Sequence, residues 1–155
     1  MKQNLRIGDI LYRRKNLVEH AGAYLGNNQV IHNSPDGNVA ICSVNQFAEG
    51  KEIKVVSSRL SPLQTQQFQE RAGLKLAESK RYNVLNFNCE QLVYEIIKGV
   101  ASSPQVKGAV LGGVTCTLLA KAVDSKHVLW LGLAGALAGC ALVNAQRDYD
   151  LVLTP

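Results

Sequence analysis

From Val128 to Val143 the chain runs sixteen residues without a charged side chain. Such a stretch has to be covered, either by protein or by lipid. As an α-helix it spans about 24 Å, short of the roughly 30 Å hydrocarbon core of a bilayer. A second apolar segment precedes it: Val106–Val123 is broken only by Lys107, Thr115, Thr117 and Lys121, and Asp124-Ser125-Lys126-His127 separates the two. Gly108-x-x-x-Gly112 and Gly135-x-x-x-Gly139 would let two helices approach closely. The expected element is an apolar helical hairpin over residues 106–145 that associates with a membrane. The competing reading buries the pair against the rest of the chain, or between copies in an oligomer built through the glycine-rich helices.

The composition changes at Pro104. Residues 1–105 have the patterning of a small α+β domain, and residues 146–155 form a C-terminal tail. Strands are expected at Ile7–Tyr12, His20–Leu25, Gln29–His32, Val39–Ser43 and Ile53–Ser57. Pro35-Asp36-Gly37-Asn38 reads as a turn. Ser61-Pro62 supplies an N-cap and a first helical residue, opening a helix to about Ser79. A short link, Arg81 to Phe87, leads to a further helix.

Residues 20–32 read His-Ala-Gly-Ala-Tyr-Leu-Gly-Asn-Asn-Gln-Val-Ile-His. Gly26-Asn27-Asn28 is a turn signal between two apolar runs, and both residue types tolerate left-handed backbone. If those three residues are the loop, Leu25 pairs with Gln29, Gly22 lies opposite His32, and Tyr24 lies opposite Val30. Period-two alternation then puts His20, Gly22, Tyr24, Val30 and His32 on one face. Gly22 would leave room for an imidazole. A two-residue loop would shift the register and separate the histidines.

Asn88-Cys89-Glu90-Gln91 opens the last helix of this region. Asn88 is a good N-cap, and Gln91 fits a capping box. Leu92, Val93, Ile96, Ile97 and Val100 recur at helical spacing, with Cys89 on the same stripe. A thiol at a helix N-terminus gains thiolate character, and a nearby imidazole can hold its proton and return it. The plainer reading is a buried, inert cysteine.

These residues resemble the lecithin:retinol acyltransferase family. Gly8-Asp9 with the strand after it, His20 with Tyr24-Leu25-Gly26, and Val30-Ile31-His32 are similar to the start of that family. Asn88-Cys89-Glu90-Gln91-Leu92-Val93 resembles its Asn-Cys-Glu-His-Phe-Val signature. Lys98 through Val106 resembles the stretch that follows the signature in the phospholipase A/acyltransferase branch. The resemblance implies a circularly permuted NlpC/P60, papain-like α+β fold, with an antiparallel sheet packed on helices. It implies acyl transfer through a cysteine thioester, with phospholipids as donors in many members. Carried over, Cys89 is the nucleophile, His20 the general base, and His32 the residue that orients His20. Gln91 and Leu92 depart from the signature. Val18 stands where lipid enzymes of the family have a tyrosine suggested to bind the oxyanion, which leaves the Cys89 backbone N–H as the donor.

Arg6, Arg13, Arg14 and Lys15 cluster before His20, as a solvated face or one suited to anionic lipid. No motif for nucleic acid is present. Cys42, Cys89, Cys116 and Cys140 show no metal-ligand spacing and read as thiols of a reducing compartment. The polar N-terminus carries no secretory signal.

The expectation is a thiol acyltransferase or phospholipase A1/2, without cofactor or metal, at the cytoplasmic face of a membrane. Its substrate would be a phospholipid or another acyl ester. The rivals are an NlpC/P60-like amidase or peptidase and a non-catalytic membrane-binding module.

Overall fold

The computed structural model describes residues 5–16, 18–34, 37–78, 83 and 88–154. The chain divides into two compact units. One comprises residues 1–14, 19–102 and 148–155; the other comprises residues 15–18 and 103–147.

The first unit is α+β. Six strands form one sheet: β1 (Ile10–Lys15), β2 (Val18–Gly26), β3 (Gln29–Asn33), β4 (Val39–Ser43), β5 (Ile53–Val56) and β6 (Leu151–Leu153). Their order is β4-β3-β2-β1-β5-β6. The pairs β1–β5, β2–β3, β3–β4 and β5–β6 are antiparallel. Three helices accompany the sheet: α1 (Val44–Ala48), α2 (Pro62–Glu78) and α3 (Cys89–Lys98).

Alternation along the strands splits the apolar side chains into two clusters. Ile10, Tyr12, Ala21, Ala23 and Ile31 pack with Phe68 and Ala72 of α2 and with Leu92, Val93, Ile96 and Ile97 of α3. Leu11, Val30, Ile53 and Val55 pack with Val44, Phe47 and Ala48 of α1. Leu92, Val93 and Ile96 are fully buried, and each contributes about 1.5–3 kcal/mol through removal from water. Arg71 of α2 ties the two helices together, donating from Nε to the Ile96 carbonyl (2.8 Å) and from Nη2 to the Ile97 carbonyl (3.0 Å).

Several elements differ from the sequence expectation. β1 starts at Ile10 rather than Ile7, because Gly8 adopts φ +90° and turns the chain. α1 was not anticipated; Ser43 and Gln46 cap it reciprocally. Val100 is not on the α3 stripe. The helix stops at Gly99, φ +75°, and Val100 is exposed. Within residues 146–155, Leu151–Leu153 adds the edge strand β6. Pro35 and Asp36 of the expected turn, and most of the Arg81–Phe87 link, lie outside the described residues.

The second unit holds α4 (Pro104–Ala122) and α5 (Val128–Ala145). Ser103 caps α4 and Pro104 occupies its first turn. The two helices touch through backbone. A Cβ on Gly112 would sit 2.1 Å from the Gly135 carbonyl oxygen, and one on Gly139 would sit 2.0 Å from that of Gly108. At one end of the pair, Gln105 Oε1 accepts from Cys140 Sγ (3.7 Å) and from Asn144 Nδ2 (3.4 Å).

Candidate active site

The β2–β3 hairpin positions the histidines by a route the sequence did not disclose. The loop has two residues, Asn27 and Asn28, both left-handed at φ +50° and +61°. Gly26, not Leu25, pairs with Gln29, and the ladder is irregular between Tyr24 and Gly26. The shorter loop alone would have separated the histidines. The bulge at Leu25 restores the lost residue, so Gly22 still faces His32 and Tyr24 still faces Val30.

His20 Nε2 lies 3.1 Å from His32 Nδ1, and the rings are almost perpendicular at 89°. Phe47 supports both. Its ring stacks on His20 at 5.5 Å between centroids and meets His32 edge-on at 5.7 Å. The space over Gly22 therefore goes to Phe47 and Val30, not to an imidazole. A Cβ there would fall 2.6 Å from Val30 Cγ1 and 2.8 Å from Phe47 Cε2. The capping pair Ser43…Gln46, three residues apart, is the sequence signal that would have placed Phe47 on a short helix.

Arg13 joins this face and is not part of a solvated basic patch. It is 4% exposed. Its Nη2 pairs with Glu49 Oε1, and its guanidinium carbon lies 5.7 Å from the Phe47 ring centre.

Cys89 is the first residue of α3, behind the Asn88 cap. Asn88 Oδ1 accepts from the Gln91 N–H (2.9 Å), and Gln91 Oε1 accepts from the Asn88 N–H (2.9 Å). The thiol is 8% exposed and belongs to the α2–α3 cluster. Burial pushes it above the ordinary thiol range. The Ala21 N–H pulls it back, the Glu90 carboxylate pushes it up, and the N–H groups of Glu90 and Cys89 pull it down. Burial outweighs the helix terminus, so the resting group is the thiol.

The fold thus brings the two histidines into direct contact and places Cys89 in the buried cluster that holds Ala21, the residue after His20. Along β2 the Ala21 and Ala23 side chains turn toward α3, whereas the His20 ring turns toward Phe47. Val18 is 45% exposed. Among the described residues, no group of three or more His, Cys, Asp and Glu side chains could hold a metal ion.

Comparison with known proteins gives this geometry a context. The human protein Phospholipase A and acyltransferase 2 is 29% identical over 165 residues, spanning 92% of this chain and 94% of that protein. The Murein DD-endopeptidase MepS/Murein LD-carboxypeptidase of Escherichia coli (strain K12) is 44% identical over 46 residues, 29% of this chain and 24% of that enzyme. Residues 3–102 match the family described as Lecithin retinol acyltransferase. The chain belongs to the lecithin retinol acyltransferase family.

Proposed function

We propose that the protein is a cysteine-dependent acyltransferase and phospholipase A that acts on phospholipid acyl esters. The permuted NlpC/P60 arrangement goes with this reading, as does a catalytic region over residues 1–105. The match to the family over residues 3–102 carries it, and the His20–His32 contact at 3.1 Å and the place of Cys89 at the start of α3 support it. His32 holds the ring of His20, and Cys89 packs in the cluster that includes the next residue, Ala21.

The chemistry follows from the partners. With Nε2–H of His20 donating to Nδ1 of His32, the His20 tautomer leaves its Nδ1 as the basic nitrogen. Nδ1 takes the Cys89 proton as the sulfur attacks the ester carbonyl. The tetrahedral oxyanion is received by the Cys89 backbone N–H. Collapse breaks the ester bond, and the departing lysophospholipid oxygen takes the proton from His20. The acyl thioester then passes its chain to water, an alcohol or an amine, with His20 again moving the proton. A buried neutral thiol suits this cycle, because charge is created only when the base is in position. No cofactor or metal takes part, and nucleic acid has no role.

The apolar hairpin over residues 106–145 supplies attachment to the cytoplasmic face of an intracellular membrane. Helix α5 is long and apolar enough to cross one, with 11% of it buried within the protein.

Intact-protein mass spectrometry after incubation with mixed phospholipid tests the reading. A gain of one acyl chain on the parent and none on Cys89→Ser is expected. Equal labelling of the two would end it. The short match to a murein endopeptidase favours a second reading, an amidase or peptidase. Turnover of a peptide in place of a phospholipid would select that one. A non-catalytic membrane-binding module would turn over neither.

A further inference from the structure

We infer that the α4–α5 hairpin crosses the bilayer twice, leaving residues 148–155 on the same side as the rest of the first unit. The inference rests on the membrane attachment proposed above and adds the topology.

The first argument is connectivity. The chain leaves the first unit after Ser102 and re-enters it at Asp148. Re-entry is held by specific bonds. Leu151, Val152 and Leu153 pair with Val55, Lys54 and Ile53. The Tyr149 hydroxyl donates to Glu19 Oε2 (2.7 Å). The Ser57 N–H donates to Asp150 Oδ2 (2.9 Å), and the Asp150 N–H donates to the Val55 carbonyl (2.9 Å). A single crossing would strand Tyr149 and β6 on the far side and break all of these. Only two crossings or none are compatible with the sheet.

The second argument chooses between them. A helix lying in the interface needs a polar face along its length. This hairpin has none. Its small residues face inward, where the glycines bring backbone to backbone. Leu111, Leu118, Leu129, Leu133 and Leu142 are all exposed outside. Charged groups collect at the two ends instead, and polarity between them on α4 is limited to Thr115 and Thr117. Gln105, Lys107, Asn144 and Arg147 lie at the end where the chain enters and leaves, and Lys121, Asp124, Lys126 and His127 lie at the turn.

The third argument is length. α5 has 18 residues, or about 27 Å of rise. Lys107 and Lys121 are separated by about 21 Å of helix, and their side chains extend the reach to the headgroups at either end. That fits a thinner bilayer of about 27 Å, such as that of the endoplasmic reticulum. Trp130, next to the turn and 70% exposed, occupies the interfacial level that tryptophan favours.

Trp130 is the one tryptophan in the sequence, so the unaltered protein reports its own topology. The full chain is added from detergent to phosphatidylcholine/phosphatidylglycerol vesicles, and vesicles whose protein is fully open to external trypsin are used. Quenching by iodide outside, by iodide trapped inside, and by phospholipids brominated at shallow or deep acyl positions is then compared. Two crossings give quenching by internal iodide at least about fivefold stronger than by external iodide, with shallow bromines more effective than deep ones. Stronger external than internal quenching means a surface helix pair and overturns the inference. Deep-bromine quenching with little effect of iodide on either side means a dipping hairpin and also overturns it. Failure of the protein to float with vesicles removes the membrane attachment itself, a separate result.

Discussion

His20 and His32 share one hydrogen bond, Nε2 to Nδ1 at 3.1 Å, with Phe47 packed against both rings. That bond commits one nitrogen of each ring, and in the proposed cycle, with Nε2–H of His20 donating, Nδ1 of His20 is the base. His20→Ala is expected to lower acyl-enzyme formation by at least about a hundredfold, the scale of a lost general base. His32→Gln keeps a polar partner for Nε2 and is expected to lose less. Single-turnover labelling of Cys89 measures both, and an equal loss in the two variants would deny His32 a merely orienting role.

Phe47 is the support of the pair, and Gly22 is the residue that admits it. Gly22→Val places atoms where Val30 and Phe47 already sit. Overpacking of this kind destabilises by about 1–3 kcal/mol. Labelling of Cys89 should fall by more than that destabilisation explains, because Phe47 is displaced from the imidazoles. Denaturant melts beside labelling rates check this. Activity that tracks the folded fraction alone would count against the supporting role.

Burial holds the Cys89 thiol above its ordinary range. Alkylation by iodoacetamide is therefore expected to be slow at neutral pH and to rise with pH beyond the range of an unfolded cysteine. The linked effect on stability has a definite sign. The folded state holds this proton more tightly than the unfolded chain. The contribution to stability is full below the ordinary thiol pKa and is lost as pH rises through the folded value. In Cys89→Ser the alkaline part of the stability profile should be flatter than in the parent.

Arg71 carries the last carbonyls of α3 on one guanidinium. Arg71→Leu leaves both acceptors short of their charged donor, and a loss of about 1.5–3 kcal/mol is expected. A urea titration would detect it. An unchanged midpoint would mean that water replaces both bonds.

The histidine hairpin shows how far the sequence reaches. Turn residues and period-two alternation predict a hairpin with both histidines on one face, and that face is observed. The loop is one residue shorter than the turn signal implies, and the bulge at Leu25 adds that residue back, so the two differences cancel. A bulge has no strong local signature when glycine also belongs to the turn. It follows that Leu25→Ala should keep labelling of Cys89, whereas deletion of Leu25 should abolish it in a chain that retains its secondary structure by circular dichroism.

Other misses have their own physical causes. β6 is three residues long, too short for alternation to stand out, and its partner β5 lies some hundred residues away. Arg13 reads as surface charge in any linear pattern, whereas in the fold it is buried against Glu49, at a helix end, and the Phe47 ring. The Asn88 cap and the α3 stripe were legible because capping and helical periodicity are local. The resting state of Cys89 was not, since the approach to a helix N-terminus is local but desolvation is not.

The position of β6 beyond the hairpin has a consequence for biosynthesis. A ribosome releases α4 and α5 before it releases the strand that pairs with β5. Until then β5 is the open edge of the sheet, and an open edge is a template for strands of other chains. Timely delivery of the hairpin to its environment lets β6 reach β5 early. A chain delayed at that stage carries both an uncovered apolar helix pair and an unclosed sheet, so the proposed insertion would bear on folding as well as on address.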